Sequence, residues 1–277
     1  MADLTQWISA DELPLIKLEE RQWLAQVFER FGGYPDLEQM WGLMDEAWVS
    51  LGCDAEVMDA SVDAFYRHPV WLLNGLFIEQ HNQSREYREQ FKDWVAKHSP
   101  NRVAEFGGGF GTLARMIGLA LPDALIEVIE PHPHLLAIAR AEKTANVRYQ
   151  TEMLGEYDIL LAIDVFEHVP DPLQLVYETA QHLRIGGRYL IANCFFPVIR
   201  CHLPQTFHFR YSWNQVLRAL GLQPAEKVAY GRAFVRCDRL DLVAARKVEQ
   251  QSLMLWRFTQ HLPGGLARLL RYVLTTV

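Results

Sequence analysis

Val103-Ala104-Glu105-Phe106-Gly107-Gly108-Gly109-Phe110-Gly111-Thr112 is the stretch whose reading decides the fold. A short apolar run ends, four glycines fill the five positions 107–111, and an amphipathic segment runs from Thr112 to Leu121. This is strand, turn, helix. Residues without a β-carbon adopt torsions that others avoid and let a ligand approach the backbone. The unpaired N–H groups of the new helix attract negative charge. In a parallel sheet, the carboxyl ends of the strands form the ligand crevice.

Working outward, short β-rich runs alternate with helical segments after Ser99-Pro100-Asn101, the rhythm of a parallel sheet with crossover helices. Strands are expected at Arg102–Phe106, Leu125–Glu130, Val147–Gln150, Tyr157–Ile163 and Gly187–Asn193, and near Glu226–Tyr230 and Leu240–Ala245. Helices are expected at Thr112–Leu121, Leu135–Glu142, Pro172–Leu183 and Ser212–Leu220, the last stopped by Gly221. Before Ser99 the chain reads as helical. Trp23, Leu24, Val27, Phe28 and Phe31 recur at three- and four-residue steps, Trp41 to Trp48 repeats the pattern, and further segments run over Val62–Phe77 and Ser84–Ala96. Trp7, Trp23, Trp41, Trp48, Trp71 and Trp94 all lie in this part, either filling a helical core or lining a pocket.

The chain has 277 residues, enough for one large domain or one domain with an appendage. With 50% hydrophobic residues it is not intrinsically disordered, and a net charge of -7 argues against general nucleic-acid binding. No run reaches the roughly 18–20 apolar residues of a membrane span. Cys53, Cys194, Cys201 and Cys237 form no C-x-x-C pair, so neither a zinc knuckle nor a disulfide framework is expected. The opening residues lack the blocks of a secretory signal, and a cytoplasmic location is expected. From Arg232 onward eight basic residues (Arg232, Arg236, Arg239, Arg246, Lys247, Arg257, Arg268, Arg271) face three acids. With Leu253–Phe258 and Leu266–Val273 interspersed, this tail reads as docking helices or as a surface for anionic lipid or a partner.

Gly109-x-Gly111-x-x-Ala114 satisfies a relaxed dinucleotide fingerprint. Glu105, directly before the glycines, suits a cation better than a pyrophosphate. Glu130, ending the second strand, can accept both hydroxyls of a ribose. Downstream stand Asp164-Val165-Phe166-Glu167-His168-Val169-Pro170-Asp171-Pro172 and Leu183-Arg184-Ile185-Gly186-Gly187.

In these ordered elements, over about Arg102 to Arg246, the chain resembles the class I S-adenosylmethionine-dependent methyltransferases. The resemblance implies an α/β, Rossmann-like, doubly wound, mostly parallel seven-stranded sheet. An N-terminal helical cap is expected over residues 1–98, the cofactor-binding domain over 99–247 and an amphipathic helical extension over 248–277. It further implies that Gly107, Gly109 and Gly111 line the cofactor's methionine and ribose, that Glu105 meets its amino end, and that Glu130 holds the ribose hydroxyls. Asp164 would sit beside the methionine moiety. The acid that often contacts the adenine is missing from Gln150-Thr151-Glu152-Met153, leaving Thr151 and Met153 as candidates.

A sulfonium methyl is already activated, so alignment and exclusion of water are the protein's main tasks. An oxygen acceptor also benefits from a general base. His168, after the fourth strand, is the first candidate, or else it braces its loop; His202 and His208 in the Cys201–Tyr211 segment are the alternatives. Asp164-x-x-Glu167-His168 is similar to the Glu-x-x-Glu-His element of the few methyltransferases that bind magnesium or manganese. The string is common in metal-free members as well, and no metal ligand is assigned. Tyr66, Asn82 and Arg85 in the helical part are candidates to enter the site if that part closes over it.

The expectation is an enzyme using S-adenosylmethionine to methylate oxygen on a small polar acceptor, a sugar or glycan intermediate being the preferred class. The alternatives are a nicotinamide-dependent oxidoreductase and a cofactor-binding scaffold that recruits partners.

Overall fold

Proline and capping side chains fix where the N-terminal helices start in the computed structural model, which describes residues 6–259, 262, 264 and 265. The helices are α1 (Leu18–Phe31), α2 (Leu37–Ser50), α3 (Ala60–Tyr66), α4 (Pro69–Gln80) and α5 (Asn82–Lys97). Asp36 and Gln39 close a capping box on α2, and Asp59 accepts from the Ser61 N–H at the start of α3. The segment read as continuous from Val62 to Phe77 is instead broken at His68-Pro69. Proline disfavours helix for the residue before it, and the His68 ring accepts from the Val70 N–H to start α4 afresh.

The sheet elements follow as β1 (Arg102–Phe106), α6 (Thr112–Ala120), β2 (Leu125–Ile129), α7 (Leu135–Glu142), β3 (Val147–Gln150) and β4 (Tyr157–Ile163). Then come α8 (Pro172–Gln181), β5 (Leu183–Ala192), α9 (Phe209–Leu220), β6 (Leu222–Val228), β7 (Gly231–Arg236) and α10 (Leu242–Thr259). The seven strands lie in the order β3-β2-β1-β4-β5-β7-β6. β1–β2, β2–β3 and β4–β5 pair in parallel; β7 runs antiparallel to both β5 and β6.

The last two strands differ from expectation. Gly221 caps α9 with φ +105 and the chain enters β6 at once, so this strand lies earlier than the expected 226–230. Residues 240–245 form no strand: Asp241 accepts from the Ala244 N–H, a capping contact that starts α10. α10 packs on α9. The expected apolar segment Leu266–Val273, with Arg268 and Arg271, lies outside the described residues.

Two compact units divide the chain: Met1–Glu152 with Ile199–Cys201, and Met153–Val198 with His202–Val277. These divisions differ from the boundaries expected at 98 and 247. In the first unit α4 and α5 pack on α6, so the helical part and the first βα elements share one core. Trp48 meets Phe65 edge-on and Trp7 stacks on Tyr34, placing these tryptophans in that core. Glu12 and Glu79 converge on Arg140, and Glu79 also pairs with Arg115, a largely buried ion-pair network tying helices to the sheet layer.

In the second unit, the buried Thr179 hydroxyl pairs with Tyr189 at 2.9 Å, and Arg236 donates to the carbonyls of Ala180 and Gln181. Arg246 pairs with Asp171 and Glu249. Part of the basic excess of this region is therefore consumed internally. Among the described residues no helix is long and apolar enough to cross a membrane.

Candidate active site

β1 delivers its last residue into a loop whose torsions require glycine. Gly107, Gly109 and Gly111 have φ of +66, +50 and +66, the left-handed region that side chains resist. A β-carbon on Gly109 would meet nothing within 4 Å, whereas one on Gly111 would lie 2.6 Å from the Tyr149 hydroxyl. The loop thus presents a bare backbone on one side and is closed by Tyr149 on the other. Tyr149 Oη donates to the Gly109 carbonyl at 2.9 Å.

Two carboxylates flank the loop in the first unit. Glu130, directly after β2, accepts from the Gly109 N–H at 3.0 Å and from the His132 N–H at 3.3 Å, and burial pushes its pKa up. Each oxygen keeps a further lone pair for a hydroxyl donor. Glu105 is buried and accepts from the Ala114 N–H at 2.9 Å, in the first turn of α6. Burial pushes it up to about 7, with Arg88 working in the opposite direction. The helical part supports this loop from behind: a β-carbon on Gly75 would fall 2.5 Å from Phe110, so α4 gives way to the Phe110 ring. Arg115, held by Glu79, donates to the Phe110 carbonyl at 2.7 Å.

Of the remaining first-unit candidates, Thr151 is exposed in a bend, and Tyr66 stacks on Trp71 with ring centroids 5.3 Å apart. Met153 falls in the second unit, partly exposed.

The second unit gathers Asp164, His168 and His202 around Glu167. Asp164 has φ +54 and accepts from the Tyr230 hydroxyl at 2.7 Å. A short 3-10 turn, Phe166–His168, follows and buries Glu167 completely. Glu167 Oε1 accepts from the Cys194 N–H at 2.7 Å, and its carbonyl accepts from the Leu203 N–H at 2.9 Å, so it pins the loop after β5 at two places. Its Oε2 is buried with no hydrogen-bond partner. Burial first, then the neighbouring Asp164 charge, pushes Glu167 up to about 8. The His168 and His202 rings meet edge-on with centroids 4.9 Å apart, and His202 Nδ1 lies 2.6 Å from the Phe196 carbonyl.

His208 lies elsewhere. Its Nδ1 is 3.0 Å from the Ser252 hydroxyl at the joint between α9 and α10, and burial pushes its pKa down to about 4. It is a neutral brace between helices. Arg210, from the same segment, donates to the Phe195 carbonyl and lies 3.7 Å over the Phe196 ring. Sequence reasoning missed Tyr149 and Tyr230, and it quoted Glu167 only within the Asp164-x-x-Glu167-His168 string, without assigning it a role.

A mostly parallel sheet with a glycine loop after β1 and an acid after β2 defines a Rossmann-like class of fold. Residues 104–189 match the family model described as a methyltransferase domain. The chain is 26% identical over 121 residues to the ubiquinone biosynthesis O-methyltransferase of Acinetobacter baylyi, covering 36% of this chain and 48% of that protein. It is 29% identical over 115 residues to the Xylella fastidiosa protein of the same name, covering 36% and 46%. The chain thus spans about half the length of the curated relatives it matches. In fold it is similar to an O-methyltransferase family protein from Burkholderia thailandensis, with TM-score 0.51 and 13% identity over 85% of this chain and 76% of that one. Over residues 104–189 the chain is thus similar to methyltransferase domains.

Proposed function

We propose that the protein binds S-adenosylmethionine through the loop after β1 and transfers its methyl group to oxygen on a small hydroxyl-bearing acceptor. The observation that carries this reading is the bare face of Gly109 with the Glu130 carboxylate bonded to its N–H. The residues present fit such a cofactor: a crevice without β-carbons admits a nucleoside against the backbone, and a carboxylate with lone pairs to spare grips a diol. Glu105 stiffens the loop by holding the first turn of α6, and Tyr149 fixes the Gly109 carbonyl.

The cofactor supplies an electrophilic sulfonium methyl. The chain's own part is to hold, orient and shield. Asp164, exposed and held by Tyr230, offers a carboxylate to a cationic or polar ligand group. His168 and His202 are the imidazoles assigned to the acceptor side; a neutral ring nitrogen accepts a hydrogen bond from a hydroxyl and draws its proton off as the oxygen attacks. The name O-methyltransferase borne by the relatives supports oxygen as the target atom. Within that class a sugar or glycan intermediate is the acceptor proposed first.

The test is transfer of radiolabelled methyl from S-adenosylmethionine to a panel of sugars, phenols and amines. Label on hydroxyl compounds is expected; label on amines alone would refute oxygen transfer, and no acceptor-dependent label from a cell extract would favour a scaffold.

A further inference from the structure

The helix α10 is covered on one side and open on the other. Its buried Ala245, Ser252 and Thr259 recur at seven-residue steps, and the Ser252 hydroxyl bonds Ser212 of α9 at 2.7 Å. On the opposite side Val243, Lys247, Gln250, Met254, Arg257 and Phe258 fall within one arc of about 100°. All six are exposed. Val243, Met254 and Phe258 show 68%, 63% and 68% of their surface to solvent, three large apolar side chains on a single helix side. Apolar residues scattered singly over a surface need no explanation, whereas a row of them marks a docking face. Phe196, itself 50% exposed, flanks the same helix: the Arg210 guanidinium lies 3.7 Å over its ring and 5.7 Å from that of Trp256.

Charge says what covers this face. The chain as a whole is acidic, with net charge -7, yet the arc holds Lys247 and Arg257 and no acid. Glu249, on the same helix, is taken up by Arg246, which also pairs with Asp171. From Gln250 to Val277 the sequence has three arginines and neither Asp nor Glu. A second copy seated here about a two-fold axis would set like charges together, with no acid in the arc to pair them. An anionic bilayer meets both needs, offering headgroup charge to the cations and the acyl boundary to the apolar side chains.

We propose that this open face of α10 docks the protein on a membrane surface rich in anionic lipid, as an interfacial helix and not as a span. Met254 and Phe258 enter the acyl boundary, while Lys247 and Arg257 reach the phosphates on their long stems. The inference stands on residues of the second unit alone and does not depend on what the loop after β1 binds.

The test floats the full chain with vesicles of phosphatidylglycerol and phosphatidylcholine, and with vesicles of phosphatidylcholine alone. Binding to the anionic vesicles is expected, at least about tenfold weaker on the neutral ones and weakened likewise by high salt. Lys247→Glu combined with Arg257→Glu should lower the affinity at least about 25-fold, since each basic residue near an anionic surface is worth about fivefold. Met254→Ser combined with Phe258→Ser should lower it at least about tenfold while keeping the salt dependence. All four positions are exposed, and circular dichroism verifies that both variants fold. No flotation with anionic vesicles, equal binding to neutral ones, or undiminished binding in both variants would overturn the proposal. A lipid-free dimer that Met254→Ser with Phe258→Ser dissociates would overturn it too, giving the face to a second copy.

Discussion

Replacing Gly111 by alanine tests the loop at its tightest point. The new side chain meets two penalties. At φ +66 an L-residue costs about 1–2 kcal/mol relative to glycine. Its β-carbon would also stand 2.6 Å from Tyr149 Oη, so the phenol must move and give up its bond to the Gly109 carbonyl, worth about 1 kcal/mol. The sum is about 2–3 kcal/mol of folding stability. Gly109→Ala is the internal control: it carries the same class of backbone strain, φ +50, but meets nothing within 4 Å, and should cost only about 1–2 kcal/mol. Urea unfolding of both variants reads the difference. Tyr149→Phe removes the obstructing oxygen, leaving the ring carbon Cζ at 3.3 Å as the nearest atom. Gly111→Ala should then be milder in the Phe background by about 1 kcal/mol, a coupling that a double-mutant cycle isolates. Equal losses at the two glycines, or no coupling to Tyr149, would refute the reasoning.

Glu130→Ala should weaken S-adenosylhomocysteine binding by about 1–3 kcal/mol by titration calorimetry, and unchanged affinity would remove Glu130 from the site. Glu105 holds its proton to about pH 7 when folded, against an ordinary value of 4.5. Between those values the folded state binds the extra proton, so this group makes stability fall as pH rises across the window. Glu105→Gln should flatten that slope in unfolding curves measured from pH 5 to 8. Glu12 behaves oppositely: its hydrogen bond with Arg140 lowers it to about 2, so it stabilises above its ordinary 4.5 and loses that contribution as pH falls toward 2. Glu12→Gln should destabilise by about 2–3 kcal/mol at pH 7, with the gap to wild type closing in acid.

The sequence announces what is local. The 3.6 and 2 periodicities, the glycines that need left-handed torsions and the acid ending β2 are all consequences of neighbouring residues, and Leu135–Glu142, Val147–Gln150 and Tyr157–Ile163 fall where their patterns place them. What depends on distant partners is silent. Leu240 to Ala245 has strand composition, yet Asp241 caps a helix there that packs on α9. His208 shares its segment with His202, but one ring braces two helices while the other faces His168, and nothing in the local pattern separates them. Tyr149 looks like an ordinary residue of a weak strand until the fold lays its hydroxyl on Gly109. Glu167 reads as one acid among several; only burial, with a single oxygen satisfied, sets it apart.

Titration of the purified protein with S-adenosylhomocysteine and, separately, with NAD addresses the central claim directly. Saturable binding of one equivalent of the adenosyl thioether, with no comparable heat from NAD, is the predicted result. Binding of NAD alone would contradict the account of the loop after β1.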